Sequence, residues 1–189
     1  MNQGKIYIFI LILGCFSCGE ETLPKPKAYL TLKYPTTSYI KIASNCAYNF
    51  EISQQATIDI DTNCWATINY PRLKARIHIS YSEINDNLEE ILKDIEKLTF
   101  EHTIKADAIP DAISFENNEK GVFGKVYLIE GNVASNVQFS ATDSTHHMIS
   151  AALYFYAKPN YDSILPAVRY LEKDIDHLIE SLEWKNHNK

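Results

Sequence analysis

Residues 74–81 read KARIHISY. Ala75, Ile77, Ile79 and Tyr81 alternate with Lys74, Arg76, His78 and Ser80, and a period of two is a strand with one apolar face. Seven residues later the period changes. Leu88, Ile91, Leu92, Ile95, Leu98 and His102 recur at intervals of three and four, which predicts one amphipathic helix. Asp86 and Glu89 are the expected capping pair, Glu89 and Lys93 make a favourable i,i+4 pair, and Pro110 lies beyond the end.

On the C-terminal side a second strand group follows. Residues 122–129 (VFGKVYLI) and 148–156 (MISAALYFY) are apolar on both alternations, so they are expected to be covered on both faces. Gly131-Asn132 is a turn signal before a strand near residues 135–142. Ile164, Leu165, Val168, Leu171, Ile175, Leu178, Ile179 and Leu182 then predict a long amphipathic helix. Asp162 or Ser163 is its expected cap, with Pro166 in the first turn. On the N-terminal side, residues 29–33, 48–52, 57–60 and 65–70 carry weaker strand signals, punctuated by Pro35 and Pro71. Strands, helix, strands, helix is the order of an α+β fold. It predicts a mainly antiparallel sheet with two amphipathic helices packed on it, one per face.

The first residues are an address. Residues 6–16, IYIFILILGCF, form an apolar run about half the roughly 20 residues a spanning helix needs, which is the length of a signal-peptide core. A Cys after a small residue at the end of such a core is the pattern of a lipidated, exported protein. Cys15 follows Ile-Leu-Gly and matches the usual letters well. Cys18 leaves a longer core and opens onto Gly19-Glu20-Glu21, and it is the preferred lipid site. The expected organisation is a signal peptide over residues 1–17, a lipidated Cys and Pro-containing tether over 18–27, one domain over 28–185, and a tail over 186–189. Pro24 and Pro26 make the tether semi-rigid.

Composition narrows function by exclusion. The chain has 189 residues, 46% hydrophobic and 22% charged, with a net charge of −6. That balance offers no whole-chain attraction to nucleic acid or anionic lipid. Four Cys are too few for a disulfide-stapled miniprotein. Asp143, His146 and His147 are the densest metal-like cluster, yet adjacent residues on a strand point to opposite faces, so a turn or surface role is the better reading. Asp143, Ser144 and His147 include the residue types of a hydrolytic triad but lack a GxSxG elbow. Gly121-Val122-Phe123-Gly124 lacks the Lys-Ser/Thr ending of a phosphate loop. The many tyrosines at strand spacing read as packing before they read as a glycan or peptide platform. No enzyme, metal, cofactor or small-molecule substrate is expected.

Seven segments, taken in order, resemble a known family. They are Leu23-Pro24-Lys25-Pro26, Tyr70-Pro71-Arg72-Leu73-Lys74-Ala75, His102-Thr103-Ile104-Lys105-Ala106-Asp107, Gly131-Asn132-Val133-Ala134-Ser135, Thr142-Asp143-Ser144-Thr145, Tyr154-Phe155-Tyr156-Ala157-Lys158-Pro159-Asn160 and Leu182-Glu183-Trp184-Lys185. With them the chain resembles the GldD gliding-motility lipoproteins of Bacteroidota. The spacing from the anchor to Leu23-Pro24-Lys25-Pro26 supports Cys18. The resemblance implies a role in gliding motility and in type IX protein secretion, with no enzymatic activity, cofactor or metal. The expected place is the periplasmic face of the outer membrane, with the cell surface and inner membrane as alternatives. Expected partners are the membrane, through the lipid, and other gliding or secretion proteins of the envelope. A glycan- or lipid-binding module and an envelope hydrolase are the alternative functions.

Two further expectations concern the domain. Cys46 and Cys64 are the cysteines left in the mature chain, and an oxidising compartment would pair them; two buried free thiols are the alternative. Arg72, Lys74, Arg76 and His78 are spaced by two, so one continuous strand over residues 72–81 would put them all on one solvent face. Such a basic row would dock an acidic surface of a neighbouring protein, or else stand as a solvated or internally paired face.

Overall fold

A computed structural model describes residues 34–101, 106, 111–156 and 160–185. Cys15, Cys18, the tether, the 29–33 strand signal, His102, Pro110 and the tail lie outside the described residues. In order, the strands are β1 (Tyr39–Lys41), β2 (Tyr48–Asn49), β3 (Glu51–Ser53), β4 (Thr57–Ile60), β5 (Ala66–Tyr70) and β6 (Ala75–Glu83). Helix α1 (Leu88–Glu101) follows, then β7 (Ile113–Asn117), β8 (Val122–Leu128), β9 (Ser135–Thr142) and β10 (His147–Phe155). Helix α2 (Tyr161–Ser181) and β11 (Glu183–Trp184) end the described fold. The α+β class holds: seven strands form one antiparallel sheet in the order β4-β5-β6-β10-β9-β8-β7. Two small ribbons, β1–β3 and β2–β11, are also antiparallel.

One face of the sheet is the core. Ile77 and Ile79 of β6, Leu153 and Ile149 of β10 and Phe139 of β9 are almost fully buried, with Leu171 and Ile175 of α2 in the same cluster. The other face carries the alternate residues. There Thr99 of α1 donates a hydrogen bond to Gln138 Oε1 at 3.0 Å, and Phe100 meets the edge of Tyr127. The stripe of α1 is thinly covered, since Leu92 and Leu98 stay exposed, as does Phe100 outside the stripe.

Four local expectations need correction. First, β6 begins at Ala75. Pro71 opens a 3-10 turn over Pro71–Leu73, the Lys74 N–H donates to the Pro71 carbonyl, and Lys74 takes a left-handed φ of +50°. Arg72 and Lys74 therefore leave the row that Arg76 and His78 occupy. Alternation in letters ran through the turn, but proline fixes φ and has no N–H to give a ladder. Second, the strand buried at every position is β9, not the doubly apolar β8 or β10. Ser135, Gln138, Ser140 and Thr142 are polar yet buried, because neighbours on both edges and layers on both faces enclose them. Third, α1 begins at Leu88, so Asn87 precedes it and its carbonyl accepts from the Ile91 N–H. Asp86 lies one residue earlier with a left-handed φ of +58°. Fourth, α2 begins at Tyr161, so Asn160 is its N-cap residue and Pro166 is its sixth residue. The Tyr161 N–H is satisfied from outside the helix, by Asn132 Oδ1 at 2.8 Å.

Candidate functional site

Antiparallel register turns scattered letters into rows. Asp59, Thr67, His78, Ala152, Gln138 and Tyr127 are successive partners across six strands. Asn69, Arg76 and Tyr154 form the next row, and Ser80, Ser150 and Ser140 the row on the other side. All project from the face opposite the core. With Ile95, Leu98 and Thr99 of α1 along one side, these rows, apart from Asn69 and Ser140, line an open cleft of about 710 Å³. That volume lies within the roughly 300–1,000 Å³ of small-molecule sites.

The polar groups of the cleft are held in place. His78 Nδ1 lies 3.1 Å from Thr67 Oγ1, and its ring meets Tyr154 edge-on at 5.6 Å. Burial, helped by the Arg76 charge, pushes the His78 pKa down and favours the neutral ring. The Arg76 guanidinium lies 4.6 Å from the Tyr156 ring and donates to the Tyr156 hydroxyl at 3.0 Å. Its Nε is buried and has no hydrogen-bond partner among the described residues. At the β4–β5 end, Asn69 donates to Asp59 Oδ2 at 3.2 Å, while Asp61 Oδ1 accepts the backbone N–H groups of Asn63 and Trp65. Trp65 is 53% exposed, and its indole N–H donates to the Tyr81 carbonyl at 3.2 Å, which orients the ring.

The other sequence candidates lie elsewhere. Asp143 closes the β9–β10 hairpin, where its Oδ1 accepts N–H bonds from Thr145, His146 and His147 at 2.9, 2.7 and 2.8 Å. His146 is exposed, whereas His147 is buried, 2.8 Å from the Tyr81 hydroxyl and stacked on Trp184. These contacts are those of a turn and a packed ring. Among the described residues no three His, Cys, Asp or Glu side chains are grouped to hold a metal ion. Cys46 and Cys64 are joined by a disulfide. Arg72 and Lys74 are exposed at the 3-10 turn.

Sequence reading missed two features. One is the cleft itself, because its rows exist only once six strands are paired. The other is Asp174, buried on α2 with Tyr39 donating to its Oδ1 at 3.0 Å. Burial pushes the Asp174 pKa up, and burial with the Asp174 charge pushes Tyr39 up to about 12. A lone acid at a helical spacing on an apolar stripe was the available signal.

A broad antiparallel sheet, one face packed into a core and the other floored with polar rows beneath a helix, defines an α+β domain with a ligand-sized cleft. The solution structure of cyanobacterial PsbP (CyanoP) from Synechocystis sp. PCC 6803 has a similar fold. Its TM-score is 0.50 at 9% identity, over 80% of this chain and 95% of that one. No curated protein matches the sequence. Residues 19–184 match the family described as gliding motility lipoprotein GldD, and the chain belongs to that family. It is thus a gliding motility lipoprotein, held at an envelope membrane. No helix among the described residues is long and apolar enough to cross a membrane.

Proposed function

We propose that the protein is a non-catalytic structural or assembly factor of the gliding machinery and its type IX secretion system. In this reading the lipid on Cys18 holds it at the periplasmic face of the outer membrane. The observation that carries the reading is the state of the cleft's ionisable groups. Asp59, Asp61, Arg76 and His78 each already hold a neighbour in the fold. Among the described residues no two of these four are joined by a hydrogen bond or ion pair, so the cleft holds no paired ionisable acid and base.

The partner contact falls to the basic residues. Arg72 and Lys74 are exposed on a tight turn, suited to an acidic surface of another envelope protein, with Arg76 and His78 set back in the cleft. Complementation of a deletion strain tests both parts. Cys18→Ser should give a folded, unanchored protein that fails to restore gliding. Arg72→Glu with Lys74→Glu should be lipidated and abundant, yet lose its in-cell crosslinks and most of its gliding and secretion. Full restoration by the charge-reversed form would remove the turn as a docking surface.

A further inference from the structure

We propose that the cleft between the sheet and α1 binds a short saccharide bearing a carboxylate, with Arg76 receiving the carboxylate and Trp65 stacking on a sugar ring. This goes beyond the assembly role and does not rest on it. Four observations lead there.

The first is charge. Arg76 lines the cleft, and among the described residues no carboxylate lies within ion-pair distance of it. A half-buried guanidinium without a counter-charge is costly unless a ligand supplies one. Tyr156 fixes its plane, which leaves a preorganised fork for a carboxylate. The second is the nature of the floor. It is the face of paired strands, so its backbone N–H and C=O groups are committed to the ladder. A peptide added as a strand would need a free sheet edge. Recognition here falls to side chains, and Thr67, His78, Ser80, Gln138 and Ser150 are short or planar groups that both give and take hydrogen bonds. Sugar hydroxyls ask for that mixture.

The third is Trp65. It is large, half exposed and oriented by its own N–H bond, so a flat apolar face is held open at the rim. The fourth is polarity along the cleft. Asp59 and Asp61 sit at the β4–β5 end, which repels a second anion there and accepts hydroxyl donors. One carboxylate at the Arg76 row and uncharged sugar towards Asp59 and Asp61 satisfies both ends. Ile95, Leu98 and Ala152 give the ring or an N-acetyl methyl an apolar wall.

The test uses the full lipidated protein in detergent, with calorimetry and tryptophan fluorescence. Three probes separate the chemistry: N-acetylglucosaminyl-N-acetylmuramic acid, a glucuronate-containing disaccharide, and neutral chitobiose. At least one acidic disaccharide should bind saturably, about 10-fold more tightly than chitobiose, the size of one charge-assisted contact. Preference for the muramic form would assign cell-wall glycan, and preference for the uronate an exopolysaccharide; either supports the proposal. Arg76→Gln should erase the preference for acid, bringing both acidic disaccharides to the affinity of chitobiose for the same variant. Trp65→Ala, at an exposed position outside the core, should weaken all three probes with the thermal midpoint retained. Absence of saturable binding at millimolar probe would overturn the proposal. So would equal binding of an acidic peptide, or a folded Trp65→Ala protein with unaltered affinity.

Discussion

Asp143 shows how one residue can resemble chemistry while serving architecture. Three backbone N–H groups converge on its Oδ1, and the carboxylate side chain is only 16% exposed. Burial alone would raise its pKa. The bonds from His147, His146 and Thr145 outweigh that and hold the carboxyl below its usual range. A depressed carboxyl stabilises the fold above its unfolded pKa, about 3.9, and that contribution is lost as pH falls through the folded value. Asp143→Ala should therefore cost about 1–3 kcal/mol at neutral pH, with the gap to the parent narrowing in acid. Urea titrations of both proteins at several pH values measure this; a gap that widens in acid would contradict it. Sequence gave the turn from the short polar run 143–145 alone. It could not give the site in the same way. Arg76 and His78 were readable as a pair on one strand face, but Asp59, Thr67 and Tyr154 join them only through pairings across separate strands.

At the scale of elements, legibility followed the length of the periodic run. Residues 57–60 and 135–142 were read at their observed bounds, β8 and β10 within one residue at each end, and β6 within two. Tyr39–Lys41, Ile113–Asn117 and Glu183–Trp184 were missed. Each is short, and each is a strand because of its partner, β3, β8 and β2 respectively, rather than through its own alternation. Gly124 on β8 is a related case, discarded as part of a phosphate loop. It sits opposite Phe115 of β7 and Ala141 of β9. A Cβ there would lie 2.0 Å from the Ser140 carbonyl oxygen and 2.3 Å from the Phe115 ring. The ring can turn away, but the carbonyl belongs to a ladder and cannot. Glycine thus lets an edge aromatic close over the strand. Gly124→Ala should destabilise by about 1–3 kcal/mol, as overpacking does. Chemical denaturation checks the size, and a neutral result would mean that β8 and β9 can separate without cost.

At the largest scale, the described fold is gathered near residues 44–50. Cys46 is bonded to Cys64, the Tyr48 hydroxyl donates to the Cys64 carbonyl, and β2 pairs with β11. The Lys185 N–H donates to the Ala47 carbonyl and its ammonium to the Ser44 carbonyl. Through Cys64 this knot reaches the cleft, because Trp65 is the next residue and its carbonyl accepts from the Asp61 N–H. Removing the bridge should act mostly on the unfolded chain. A sequence separation of 18 closes a loop worth about 3 kcal/mol in the chain-entropy account. Noncovalent contacts remain to hold the native geometry, so Cys46→Ala with Cys64→Ala should still fold. Trp184 gives a native-state check, since its indole N–H donates to the Gly121 carbonyl and its ring stacks on His147. The double variant should keep the Trp184 emission of the parent. It should lose about 3 kcal/mol in urea, with a steeper denaturant slope, because an uncrosslinked chain exposes more surface when unfolded. Amide exchange should rise first in residues 61–65, where the freed turn carries Trp65. A loss below about 1 kcal/mol with unaltered exchange would show that the ribbon of β2 and β11, not the bridge, ties the two ends of the fold together.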